Sequence, residues 1–260
     1  MTSGDSVPGQ VLRNADVDWH EWPVSRYIAE NYAELHPADA AVIDHHSAFY
    51  RGLAPDSLDV TLEFGAGPNL YPLMLAAACS RRIVAAEPSD ANVAYLRRQL
   101  ETGPDEHWRS FYRRCRQGNP ALPAGLEDAL SKVEVRQLDG LSIEPGSFDL
   151  ASMSFVAEGA SEDQDEFRRF CRAFVRTVRP GGHLVAAFME NLQRYRFGSG
   201  PEWPAYPVDG DVLHEVFGTI TDALTVERID PDPTLPDYGY SGMLLMTARR
   251  PTDDAATAPP

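Results

Sequence analysis

Apolar positions along this chain follow two rhythms that alternate. "DVTLEF" (59–64) and "RIVAAE" (82–87) are short, almost continuous apolar runs of the kind that form buried strands, whereas "NLYPLMLAAAC" (69–79) and "DANVAYLRRQL" (90–100) have helical spacing. Asp90 is the expected N-cap of the second helix. Strands are predicted again over "KVEVRQL" (132–138), "SFDLASMSF" (147–155) and "HLVAAFM" (183–189). The helix "SEDQDEFRRFCRAFVRTVR" (161–179) gathers Phe167, Phe170, Cys171, Phe174 and Val178 on one face. "DGDVLHEVF" (209–217) reads as a helix, and "ALTVERID" (223–230) and "YSGMLLMTARR" (240–250) as strands separated only by a proline-rich loop. Upstream, "WPVSRYIAENYAEL" (22–35) and "PADAAVIDHHSAFYRGL" (37–53) predict two helices, the second ended by Gly52.

Strands alternating with helices fold as a parallel sheet covered on both faces. A connection too short for a crossover helix makes the last two strands antiparallel. The expected fold is α/β: a doubly wound, Rossmann-like, mostly parallel seven-stranded sheet with an antiparallel last strand and an N-terminal helical lid over 22–52. Residues 1–18 and 251–260 are polar, small and proline-bearing, so disorder is expected there and one domain over 19–250.

With 43% hydrophobic residues the chain can bury a core of that size. A net charge of −16 argues against a nucleic-acid partner, because phosphate binding needs a basic footprint. Cys79, Cys115 and Cys171 form no Cys-x-x-Cys pair, so neither a disulfide framework nor a metal site is expected. No apolar run approaches a membrane span, and a cytoplasmic protein, monomer or homodimer, is expected.

The chemistry gathers where strands end. In "LEFGAGPNLYPL" (62–73), Gly65 and Gly67 let the backbone turn sharply beside a ligand, but position 70 is Leu where a dinucleotide fingerprint needs a third glycine. Glu87, 22 residues past Gly65, ends the second strand, where a carboxylate can accept from ribose hydroxyls. Asp139 follows the third strand, placed to meet an adenine amino group. Asn69 in the glycine turn and Ser154 at the end of the fourth strand are further cofactor-side candidates. Together these favour an adenosyl ligand without a pyrophosphate. A parallel sheet closing on an antiparallel hairpin resembles the class I methyltransferases, which bind S-adenosylmethionine, and "VRPGGHLV" (178–185) adds a structural turn typical of them.

More specifically, "SRYIAENY" (25–32), "EFGAGPNLY" (63–71), "EPSDAN" (87–92), "WRSFYRRCRQG" (108–118), "NLQRYRFG" (191–198) and "YPVDGDVL" (206–213) resemble the nicotinamide, phenylethanolamine and indolethylamine N-methyltransferases. The resemblance implies that Tyr27 and Tyr32 close a lid over cofactor and substrate, and that Gly65, Gly67 and Tyr71 line the methionine end, with Ala66 a further cofactor-side candidate. It puts Glu87 on the ribose with Asn92 beside it, and Asp139 and Gly140 at the adenine. Glu158 matches an acid that contacts the substrate amine in some members, and Tyr195 a tyrosine near the substrate; with Tyr27 these are the catalytic candidates. Ala66 replaces a frequent serine. Phe188 and Asn191 stand where members carry acids that recognise nicotinamide or a phenylethanolamine, the nearby acids here being Glu190 and Asp237.

The implied activity is methyl transfer to a small acceptor, an aromatic or arylalkyl amine or N-heterocycle, with an indole carbon or an oxygen as alternatives. A nucleotide-dependent oxidoreductase and an inactive binding module are the rival classes. Three further residues are weaker candidates: His45 and His46 as a base, and Trp203, with Trp22, as a cover for the pocket mouth.

Overall fold

The computed structural model describes residues 11–197, 200–231 and 239–252. At the centre, β1 (Leu58–Phe64) pairs in parallel with β2 (Ser80–Glu87) on one side and β4 (Phe148–Ser154) on the other. β3 (Val133–Gln137) extends the sheet beyond β2, and β5 (Val178–Glu190) beyond β4, both in parallel. β9 (Gly242–Arg249) then runs antiparallel to β5, and β8 (Asp222–Ile229) closes the edge antiparallel to β9. The seven strands are therefore ordered β3-β2-β1-β4-β5-β9-β8, and a small ribbon of β6 (Tyr195–Arg196) and β7 (Glu202–Trp203) stands apart. The chain runs outward from β1 to β3 and returns to the other side of β1 at β4. That reversal opens a crevice at the carboxyl ends of both strands.

Two apolar layers sandwich the sheet. On one face pack α2 (Pro37–Arg51), α3 (Tyr71–Ala76), α4 (Asp90–Thr102), α5 (Trp108–Gly118) and α6 (Leu126–Leu130), with α1 (Val24–Asn31) against their outer edge. On the other pack α7 (Gln164–Thr177) and α8 (Gly210–Phe217). Phe167, Phe170, Cys171 and Phe174 of α7 are all buried, at roughly 1.5–3 kcal/mol per large side chain. Strand alternation puts Leu62 and Phe64 in that layer, while the intervening Glu63 is buried on the α2 side near Tyr50. Glu63 takes the Ser152 hydroxyl, and burial pushes its carboxyl up to about 7.

Local chemistry moves several boundaries from their expected places. α3 starts at Tyr71 because the Asn69 side chain accepts from the Tyr71 amide (3.1 Å), closing a turn ahead of the helix. Ser89, not Asp90, caps α4: its hydroxyl accepts from the Asn92 amide (3.4 Å), and Asp90 is drawn off to Gln137. The proline-glycine-glycine turn lies inside β5 as an outward loop, since β4 advances two residues from Phe148 to Leu150 while β5 advances from Val178 to His183. Residues 11–18 are not the disordered segment expected. Their backbone is held by acids at the start of α7, with the Leu12 amide donating to Glu162 and the Asn14 amide to Glu166, both at 2.8 Å. Pro251 and Thr252 follow β9 as coil, and the rest of the expected tail lies outside the described residues. Among the described residues, no helix is long and apolar enough to cross a membrane.

Candidate active site

The crevice at the switch between β1 and β4 is a cavity of about 650 Å³. Its inner edge is built by the chain leaving β1. Gly65 and Gly67 take left-handed backbone (φ 68° and 55°). A Cβ on Gly65 would also stand 2.7 Å from Val156, so only glycine fits there. Glu87 ends β2 as the hub of this edge. One oxygen accepts from the Gly67 amide (2.8 Å); the other accepts from the Ser89 amide (2.9 Å) and Asn92 Nδ2 (3.1 Å). Burial raises its pKa, and those donors restrain the rise. Asn92 Oδ1 is buried beside it without a partner. Past β3, Asp139 Oδ1 caps a short 3-10 turn by accepting from the Leu141 amide (2.9 Å), which leaves its exposed Oδ2 turned to other donors. Gly140 is packed under Phe64, where a Cβ would approach to 2.4 Å.

The lid comes from the N-terminal segment. Tyr27 and Tyr32 hydroxyls share a hydrogen bond (3.2 Å), and Asn69 Nδ2 donates to Tyr32 (3.1 Å), tying lid to glycine turn. Burial pushes the Tyr27 phenol up to about 12 and Tyr195 upward as well, so both stay protonated and act as donors, not bases. Around them lies an aromatic cluster centred on Trp22, whose ring meets Trp203 at 4.7 Å, Tyr27 at 5.2 Å, Phe197 at 5.4 Å and Tyr195 at 6.3 Å. Trp203 is buried behind this wall and is no surface cover, while Trp22 itself faces the cavity.

Of the expected residues, Tyr27, Tyr32, Gly65, Ala66, Gly67, Asn69, Glu87, Asn92, Asp139, Gly140, Ser154 and Tyr195 all line this one cavity. Tyr71 and Glu158 do not. Tyr71 is buried behind the turn. Glu158 is wholly buried one layer behind the wall, so it does not present the direct amine contact expected of it. Its Oε1 accepts from the Met189 amide (2.8 Å), its Oε2 has no partner, and burial pushes its carboxyl up to about 8. It still lies close enough to raise the phenols of Tyr27 and Tyr195. Glu190 is no acceptor-side acid either: Arg228 holds it at 2.9 Å away from the cavity, and Asp237 lies outside the described residues. His45 and His46 are remote, and burial takes His46 down to about 3. Sequence reasoning missed Asp39, Trp19, Phe155, Met189, Leu192 and Phe197, which also line the cavity. Only Asp39, an acid inside an apolar helical stretch, left a sequence signal.

A family model described as the NNMT/PNMT/TEMT family matches residues 13–217. The chain belongs to that family. Mouse (Mus musculus) indolethylamine N-methyltransferase is 28% identical over 151 residues, which is 54% of this chain and 57% of that enzyme. The match thus spans little more than half of that relative's length. Among solved structures, DhpI in complex with SAH superposes with a TM-score of 0.56 at 18% identity, covering 90% of this chain and 94% of that one. The N-methyltransferase NodS from Bradyrhizobium japonicum with S-adenosyl-l-homocysteine gives 0.55 at 16% identity, covering 90% and 100%. Both likenesses show the fold, a class I methyltransferase sheet.

For an NNMT/PNMT/TEMT family member the crevice must fit S-adenosylmethionine, and its residues do. The unmet Asn92 Oδ1 beside Glu87 suits a ribose hydroxyl, and Asp139 Oδ2 suits an exocyclic amine. With the family fixed, a dinucleotide oxidoreductase drops out.

Proposed function

We propose that this protein transfers a methyl group from S-adenosylmethionine to a nitrogen of a small aromatic or arylalkyl amine or N-heterocycle. One observation carries the reading: the aromatic wall around Trp22, Tyr27, Tyr195 and Phe197 and the Glu87 edge belong to one continuous cavity. Electron-rich ring faces attract cationic and aromatic nitrogens, each good contact being worth about 0.5–2 kcal/mol. The name of the mouse relative, an indolethylamine N-methyltransferase, supports the same acceptor class.

The cofactor supplies a methyl group already activated on a sulfonium sulfur, so the protein needs neither a nucleophile nor a metal of its own. The chain's part is to bind, orient and exclude water. Orientation alone is worth roughly 7–11 kcal/mol in well-positioned reactions. Glu87, Asn92 and Asp139 hold one partner by its adenosyl end. Tyr27 and Tyr195, protonated throughout the physiological range, orient the acceptor by donating hydrogen bonds, while Trp22 and Phe197 keep water from the nitrogen. Glu158 acts from behind these tyrosines: at neutral pH its Oε2 is protonated, and a cationic acceptor in front of it favours the carboxylate. As a carboxylate it steadies the charge that an amine gains on methylation.

The test is a screen of arylalkylamines, indoles, N-heterocycles and phenols with isotopically labelled S-adenosylmethionine, products being located by mass spectrometry. An N-methyl product is expected. Label on carbon or oxygen alone, or cofactor bound with no acceptor turned over, would overturn the assignment.

A further inference from the structure

Among the described residues, four carboxylates line the cavity: Glu30, Asp39, Glu87 and Asp139. Three of them are already engaged. Glu30 pairs with Arg26 (2.6 Å) at the rim, Glu87 takes three N–H donors, and Asp139 caps its turn. Asp39 differs. It stands in the first turn of α2, 8% exposed, and no ion pair among the described residues reaches it. The acid-at-helix-start role does not account for it, because it makes no capping-box bond back to His36 and burial removes it from the solvent that such an acid normally keeps. Among the described residues no donor hydrogen-bonds to it, and the buried Tyr71 hydroxyl near it is likewise without a partner. A buried carboxylate left this way is destabilised until a ligand brings it a charge partner.

Position says which ligand group that is. Asp39 lines the cavity together with Tyr27, Tyr32 and the glycine turn, where Asn69 Nδ2 donates to the Tyr32 hydroxyl and Tyr32 shares a hydrogen bond with Tyr27; its charge also raises all three phenols, Tyr71 included. An amino-acid tail is a zwitterion: hydroxyl and amide donors suit its carboxylate, but its ammonium needs an acceptor, and among the described residues this corner offers one free acid. We infer that Asp39 binds the ammonium of the cofactor's amino-acid end, opposite the donors of Tyr32 and Asn69. The inference rests on the S-adenosylmethionine reading above. It makes Asp39 a determinant of cofactor affinity, contributed by the lid side and not by the sheet, and it leaves the acceptor to the aromatic wall.

The probes are S-adenosylhomocysteine, which carries the amino-acid tail, and methylthioadenosine, which lacks it. Both are titrated calorimetrically into the wild type and Asp39→Asn. The variant should bind S-adenosylhomocysteine roughly ten- to hundredfold more weakly, as loss of a hydrogen bond to a charged group implies. It should bind methylthioadenosine as the wild type does, which also shows that the site is folded. Unchanged affinity for S-adenosylhomocysteine would overturn the inference, and so would an equal loss for both ligands. A wild type that binds neither ligand defeats the cofactor reading itself, and this inference with it.

Discussion

The two ends of the cavity are built on opposite plans. At the sheet edge the carboxylate is satisfied before any ligand arrives, Glu87 meeting Gly67, Ser89 and Asn92, and one buried acceptor, Asn92 Oδ1, stays open beside it. The other end is an aromatic wall of Trp19, Trp22, Tyr27, Tyr195 and Phe197 backed by Trp203, with Trp22 Nε1 in it and Glu158 Oε2 behind it buried without partners among the described residues. Each such atom costs about 1–3 kcal/mol. The first end is thus a hydrogen-bonded frame with one open acceptor, and the second an apolar wall with unmet polar atoms in and behind it; on the proposed assignment the frame seats the cofactor and the wall the methyl acceptor.

The sharpest way to break this contrast is Glu87→Ala, which orphans three donors at once. Calorimetry should show S-adenosylhomocysteine binding weakened by roughly a hundredfold or more; wild-type affinity would dissolve the sheet-edge assignment. Gly65→Ala tests the same end through the backbone. A left-handed alanine facing Val156 should cost about 2 kcal/mol, lowering the melting temperature by roughly 4–8 °C in calorimetric scans. At the other end, Trp22→Ala should raise the KM for the acceptor about tenfold and leave S-adenosylhomocysteine affinity within about twofold. Equal losses for both ligands would show that the two ends are not separable.

The smallest effect is one of slope. Glu158 is raised from its ordinary 4.5 to about 8, so the folded protein holds a proton there that the unfolded chain releases. Its stabilising contribution is complete below pH 4.5 and is lost as pH rises toward 8, at no more than about 1.4 kcal/mol per pH unit. Glu63 and Asp39, both raised to about 7, add slopes of the same sign. In denaturant titrations, Glu158→Gln should therefore lose stability less steeply than the wild type between pH 5 and 8. Parallel curves would mean that the buried carboxyl does not titrate there.

The sheet end was legible in the sequence because it is local. A strand's apolar run, a glycine turn and a terminal acid lie within a few residues of one another, and the strand order then brings Gly65, Glu87 and Asp139 together. The switch from alternating strands to a final hairpin was equally plain from loop length. The aromatic end was half legible. Tyr27, Tyr32 and Tyr195 came through the family resemblance, but Phe197 and Trp19 join the wall only through packing between segments far apart in the chain, which periodicity does not encode. Glu158 shows the opposite limit: the resemblance marks an acid there, but its burial behind the wall, where it accepts from the Met189 amide, is not written in the local sequence. Residues 11–18 were misjudged because composition is silent about two acids waiting at the start of α7.

That tether also bears on how new activities arise. The acceptor wall hangs on a strap fastened by Glu162 and Glu166 and on a short ribbon, neither of which forms part of the sheet. On the proposed assignment, exchanging those pieces would change the methyl acceptor while leaving the sheet, and the cofactor seat at its edge, in place.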